Sequence, residues 1–203
     1  LALLGVLDDK LAFGTMNRGG LAGADWELDD RMTAYSAATI AANGLDGGKV
    51  LLRLADDDAG TAATLDACAR AVDECAARDL PIMVEPLPYH HDPTTGAATL
   101  LDDEDALLRA VAVGAGLGGT STSTWLKVPA ARNPARMLST TTLPALILGG
   151  SPGPDPEATY ASWERAMDVA NVRGLVVGRA LLFPPDGDVA AAIDRAARIV
   201  RPT

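Results

Sequence analysis

Lysine is scarce in this chain of 203 residues: Lys10, Lys49 and Lys127 are three among 17 basic side chains. Basic groups are also outnumbered, since 27 Asp and Glu leave a formal net charge of −10. So acidic a balance excludes nucleic acid and anionic membranes as expected partners, because both demand a basic surface. Long apolar runs are missing too. No segment approaches the ~18 consecutive apolar residues of a membrane span, and no basic stretch leads into an apolar one as in a signal peptide. The expected location is cytoplasmic. Cysteine is limited to Cys68 and Cys75, seven apart in an alanine-rich stretch and therefore on one helix face, which suits buried reduced thiols rather than a disulfide framework. The only histidines, His90 and His91, are adjacent in an expected loop, and no third ligand stands at a metal-like spacing. No metal or other cofactor is expected.

What is present suits one globular domain over residues 1–203, with 48% hydrophobic and 22% charged residues and a small molecule as the expected partner. Self-association into a homo-oligomer is left open. Apolar runs predict strands over 11–16, 50–54, 81–86, 122–129, 145–150 and 174–179. Between them, helical periodicity predicts helices over about 32–43, 60–78, 103–113, 134–140, 156–169 and 189–200. Asp155-Pro156-Glu157 and Asp188 supply start signals, and Gly44 a stop. A glycine-rich loop occupies 17–23, and Ser151-Pro152-Gly153-Pro154 form the loop after the fifth expected strand. Residues 1–7 read as the end of a helix.

Strands recur about every 33 residues with a helix between, which predicts a parallel α/β protein. An open doubly wound sheet would want Gly-x-Gly-x-x-Gly at its first helix, and none is there. The favoured architecture is therefore a (β/α)8 TIM barrel. With six strands in hand, they are expected to be the third to the eighth, the first two βα units being absent.

Polar groups interrupt the expected strand ends: Asn17, Arg53, Glu85, Lys127, Gly149-Gly150 and Gly178-Arg179. In a barrel those ends form the face where chemistry occurs. Lys127 stands out, because Ser123, Trp125 and Lys127 alternate onto one side of a strand whose other side is apolar. Lys10 and Lys49, by contrast, sit where apolar runs begin and are expected to reach water. A lysine with pKa near 10.4 is neutral in only about one molecule in 2,500 at pH 7, and the neutral amine is the nucleophile. Lowering that pKa to about 7 takes roughly 4.6 kcal/mol, which desolvation and a neighbouring cation such as Arg53 are expected to supply. Glu85 is expected to shuttle protons or orient the amine. Trp125 either walls the pocket or fills the core. Trp163 is expected to pack, and Asp56-Asp57-Asp58 to be a solvated helix entrance.

Met83-Val84-Glu85-Pro86, Trp125-Leu126-Lys127-Val128-Pro129, the run Leu143 to Gly150 and the run Arg173 to Arg179 together resemble the class I aldolases of the DeoC, LacD and DhnA superfamily. The chain is most similar to their Cgl0159-like members, over nearly its whole length. The resemblance implies a Schiff-base lysine at Lys127, an acid at Glu85, and a phosphate site at Gly149, Gly150, Gly178 and Arg179; Asn17, from its place at a strand end, is expected to bind the substrate too. It implies carbon-carbon bond cleavage or formation in a phosphorylated sugar or keto acid. Related tagatose-bisphosphate aldolases carry a lysine where this chain has Arg53, which implies a different substrate. Two rival readings stand beside it: a non-covalent barrel lyase or decarboxylase using Lys127 as a fixed charge, and an inactive barrel serving as a binding or assembly module.

Overall fold

The computed structural model describes residues 9–17, 24, 27–150 and 155–201. The expected helix over 1–7, most of the glycine-rich loop and the loop 151–154 lie outside the described residues. The strands are β1 (Phe13–Thr15), β2 (Gly47–Leu54), β3 (Ile82–His91), β4 (Ala98–Leu100), β5 (Thr124–Val128), β6 (Ala145–Leu148) and β7 (Val172–Val176). The helices are α1 (Ala37–Ala42), α2 (Gly60–Ala76), α3 (Glu104–Ala115), α4 (Pro134–Leu138), α5 (Pro156–Met167), α6 (Arg179–Leu182) and α7 (Val189–Val200).

Six strands form a parallel sheet in the order β1-β2-β3-β5-β6-β7, and β4 pairs antiparallel with the outer part of β3. Neighbours in the sheet are thus neighbours in the chain. Right-handed crossovers between strands added always on the same side place every connecting helix on one face, so the sheet curls around the other as a half-barrel. The side chains confirm the division. Val50 and Leu52, Ile82 and Val84, Leu126 and Val128, and Ala145 and Ile147 lie buried in one core with Ile40, Cys68, Val72, Val111 and Trp163 of the helices. Each large apolar side chain so buried stabilises the fold by about 1.5–3 kcal/mol. The alternate positions, Lys49, Leu51 and Arg53, Met83, Glu85 and Leu87, Trp125 and Lys127, face the concave side.

Several element bounds differ from those expected, each for a local reason. The first helix begins at Ala37 rather than near residue 32, because Thr33, Ala34 and Tyr35 donate their amides to Met16 and Thr15 carbonyls beside β1. Ser36 then caps it, accepting from the Thr39 amide while Thr39 accepts from the Ser36 amide. β2 starts at Gly47, not Val50. The glycines are there for close approach: a Cβ on Gly47 would stand 2.6 Å from Phe13 and the Pro81 carbonyl, and one on Gly48 2.7 Å from Met16 Sδ. β3 runs through Pro86 and Pro88 to His91, where a loop was expected. The Ile82 amide donates toward β5, so positions 86 and 88 would aim theirs the same way, beyond the last β3–β5 pair at Val84 and Leu126. Proline there removes no bond to β5, and the Pro88 carbonyl still accepts from the Leu101 amide at 2.9 Å.

Cys68 and Cys75 are buried and free on α2, and burial pushes their thiols up to about 12 and about 11. Trp163 is 1% exposed and meets Tyr160 edge-on at 5.2 Å, a packing residue as expected. No described helix is long and apolar enough to cross a membrane.

Candidate active site

β2, β3 and β5 bring three charged side chains together on the concave face. Val84 pairs with Leu126 in the β3–β5 register, so Glu85 and Lys127 stand side by side one residue further along. Lys127 Nζ lies 2.9 Å from Glu85 Oε1. The other carboxylate oxygen is taken by Lys49, whose Nζ lies 2.5 Å from Oε2. Lys49 pairs with Met83, two positions before Glu85, so its long side chain reaches diagonally across the strand to meet the acid. The reading that sent Lys49 to water is therefore corrected: it shares a carboxylate with Lys127.

The electrostatics of this trio follow from its geometry. Burial alone pushes the Glu85 carboxyl up, but the two ammonium groups outweigh it, Lys49 more than Lys127, and hold its pKa below the ordinary carboxylate value. The three charges sum to one positive charge, a favourable place for an anionic reactant. Side-chain exposures of 18% for Lys127 and 20% for Lys49 leave both amines open to the concave side.

A depressed carboxyl pKa has a definite pH signature. Glu85 adds stability at pH above the ordinary glutamate value of 4.5, and this contribution is lost as pH falls through the lower folded value. The acid limb of a denaturant-midpoint titration, followed from neutral pH to about 3, is therefore expected to be shallower in Glu85→Gln than in the parent protein. Equal slopes would mean that the ion pairs do not form.

Arg53 takes another direction. It sits one layer nearer the mouth, opposite Leu87, and is 5% exposed. Its Nε and Nη2 each donate at 2.8 Å to the two oxygens of fully buried Asp30, Glu27 is close by, and the guanidinium lies 5.3 Å from the Tyr89 ring. The expectation that Arg53 supplies the cation beside Lys127 is thus corrected, because Lys49 occupies that place. Asn17 is likewise built into the scaffold. Its amide donates to the Asp30 and Leu51 carbonyls and accepts from the Leu51 amide, all at 2.7 Å, so both its N–H bonds are committed.

The four residues expected around a phosphate lie past the ends of β6 and β7. Gly149 lets these ends close up, since a Cβ there would stand 2.4 Å from Val177; Gly150 adopts φ +64, a left-handed turn that glycine permits. Gly178 precedes α6 in open space, and Arg179, its first residue, is exposed rather than in a strand. Among the described residues, no group of three His, Cys, Asp or Glu gathers to hold a metal.

Set against known proteins, residues 1–197 match the family model described as Cgl0159-like. The crystal structure of Cgl0159 from Corynebacterium glutamicum superposes with a TM-score of 0.92 at 50% identity, over 98% of this chain and 66% of that one. The chain thus spans 66% of that protein's length. An archaeal fructose-1,6-bisphosphate aldolase, with its catalytic lysine bound to the carbinolamine intermediate, gives 0.72 at 15% identity, over 97% of this chain and 75% of that one. A Schiff-base-forming fructose-1,6-bisphosphate aldolase gives 0.70 at 16%, over 92% and 70%. At such identities the likeness concerns the fold, and it shows the curled parallel sheet to be similar to that of aldolase TIM barrels. No curated protein matches the chain. By family model and by the half of its residues shared with the Corynebacterium structure, the chain belongs to the Cgl0159-like family.

Proposed function

We propose that the protein is a class I aldolase in which Lys127 forms a Schiff base with the carbonyl of a phosphorylated sugar or keto acid. The observation that carries this is the 2.9 Å contact between Lys127 and a carboxylate whose other oxygen holds a second cation. Lys127 passes one proton to Glu85, and the neutral amine attacks the carbonyl carbon to give a carbinolamine. Glu85 returns that proton to the carbinolamine hydroxyl, which leaves as water as the iminium forms. Glu85, ionised again, takes the proton from the hydroxyl β to the iminium, the carbon-carbon bond breaks, an aldehyde departs, and the electron pair rests on the enamine. Return of that proton from Glu85 to the enamine carbon, and addition of water to the resulting iminium, then release the second product and regenerate the amine. Throughout, Lys49 stays cationic. It balances Glu85 whenever the acid is ionised and faces the developing negative charge of the carbinolamine oxygen.

The turn after β6 and the start of α6, with Gly149, Gly150, Gly178 and Arg179, are the proposed seat of the substrate phosphate; backbone amides and one exposed guanidinium suit that anion. The aldolase folds at TM-scores of 0.72 and 0.70 support the reading without choosing a substrate. One feature favours a second reading. An ammonium held by a carboxylate also serves as a fixed charge, as in a non-covalent lyase. Glu85→Gln in the full-length protein tests the shuttle: kcat for cleavage of phosphorylated ketoses is expected to fall by about 10²–10⁴ while KM changes little. An unchanged kcat would remove Glu85 from the mechanism.

A further inference from the structure

The outer half of β3 and β4 form a hairpin that rises beyond the β2–β3 pairing, at the end of the sheet toward which Glu85 and Lys127 lie. Its inner part is fixed by strand pairing and by Tyr89 against Arg53. Its outer part is fastened by His91. The His91 amide donates to Asp57 Oδ2 at 3.1 Å, and His91 Nε2 lies 2.8 Å from Asp58 Oδ2, both acids belonging to the turn between β2 and α2. On the other side of the ring, Nδ1 lies 3.1 Å from the Gly96 carbonyl oxygen in the hairpin's own turn.

Two acceptors facing two ring nitrogens decide the protonation state. A neutral imidazole carries one N–H, so it would satisfy one contact and set a lone pair against an oxygen at the other; only the imidazolium donates to both. The surroundings favour that cation. Asp57 and Asp58 face it from the turn, while Asp56 pairs with Arg109 of α3 at 3.6 Å and Asp92 is occupied by the Thr94 and Thr95 amides. His90 turns to the Thr99 hydroxyl at 3.0 Å.

The hairpin also forms a wall of two cavities. One of about 620 Å³ separates Pro88, Leu100 and Leu101 from the segment Pro129 to Arg132 that follows the Lys127 strand. Another of about 220 Å³ lies between Tyr89 and Leu101 of the hairpin side and Leu54 and Arg109.

We propose that the β3–β4 hairpin is a proton-controlled flap, clasped by the His91 imidazolium to the Asp57–Asp58 turn and freed at its outer half when that ring loses its proton. The hydrogen bond to Asp58, and then that to the Gly96 carbonyl, raise the His91 pKa above the ordinary 6.5. The sign follows. The clasp is complete below the ordinary imidazole value and is lost as pH rises through the higher folded value. None of this depends on the aldolase reading.

Hydrogen exchange by mass spectrometry on the full-length protein tests it, at pH about 6 and about 8.5, with rates corrected for intrinsic exchange. Residues 91–98 are expected to lose protection at the higher pH while α2 keeps its own. In His91→Gln, whose amide cannot titrate, the pH dependence is expected to vanish. In Asp58→Asn the imidazole titration, read by NMR, is expected to move down. Equal protection of 91–98 at both pH values in the parent protein, or a pH dependence that survives in His91→Gln, would overturn the proposal.

Discussion

An Arg53→Met variant is expected to lose about 3–5 kcal/mol of stability, the cost of stranding a buried charge. Asp30 is 0% exposed and both its oxygens receive the guanidinium of Arg53 at 2.8 Å. Without that fork the carboxylate has no water to turn to. The loss spreads further, because the Asp30 amide donates to Thr64 Oγ1 at 2.9 Å and the Asp30 carbonyl takes a hydrogen bond from Asn17. One ion pair thus ties the segment before α1 to β2 and α2. Lysine is a poor substitute, since it offers a point charge instead of a planar fork. The double variant Arg53→Met with Asp30→Leu removes both charges and is expected to recover most of the loss, as apolar replacements of buried pairs commonly do. Denaturant melts of the four-member cycle check this. A single-variant loss below about 1 kcal/mol would mean that water reaches the pair.

The second large effect concerns Lys127. Lys127→Met in the full-length protein is expected to reduce carbon-carbon cleavage by about 10⁴ or more, since a nucleophile that forms the covalent intermediate has no partial substitute. Lys127→Arg sharpens the comparison. It keeps a cation beside Glu85 but forms no Schiff base, so it is expected to be as inactive as the methionine variant. Were Lys127 only a fixed charge, arginine would retain a substantial share of the activity and methionine would not.

Much of the architecture is readable in the residues because one face of each strand is continuously apolar and each helix keeps its period. The α7 bounds, 189–200, agree with expectation because Asp188 is a clear N-cap, its carboxylate accepting from the Ala191 amide. Lys127 was legible for the same reason in reverse, an amine on an apolar strand. Lys49 was not, because Gly47 and Gly48 look like a turn and the apolar run that marks β2 begins at Val50, one residue after it. Once the strand begins at Gly47, positions 49, 51 and 53 share a face and Lys49 falls four residues before Arg53 on the concave side. Alternation was the signal that could have found it. The fate of Arg53 was less accessible: Asp30 lies 23 residues away in a stretch without regular periodicity, so only tertiary structure pairs them. Pro86 and Pro88 misled for a different reason. Proline ends a strand only where its missing amide would have had a partner, and that depends on where β5 stops.

Reductive trapping tests the central claim most directly. The full-length protein is incubated with phosphorylated ketoses and keto acids, treated with borohydride, digested and mapped by mass spectrometry. A stable adduct is expected on Lys127, absent from Lys10 and Lys49, and abolished by Lys127→Arg. An adduct on Lys49 instead would move the nucleophile to the other arm of the trio. No adduct with any substrate that the folded protein turns over would contradict Schiff-base catalysis.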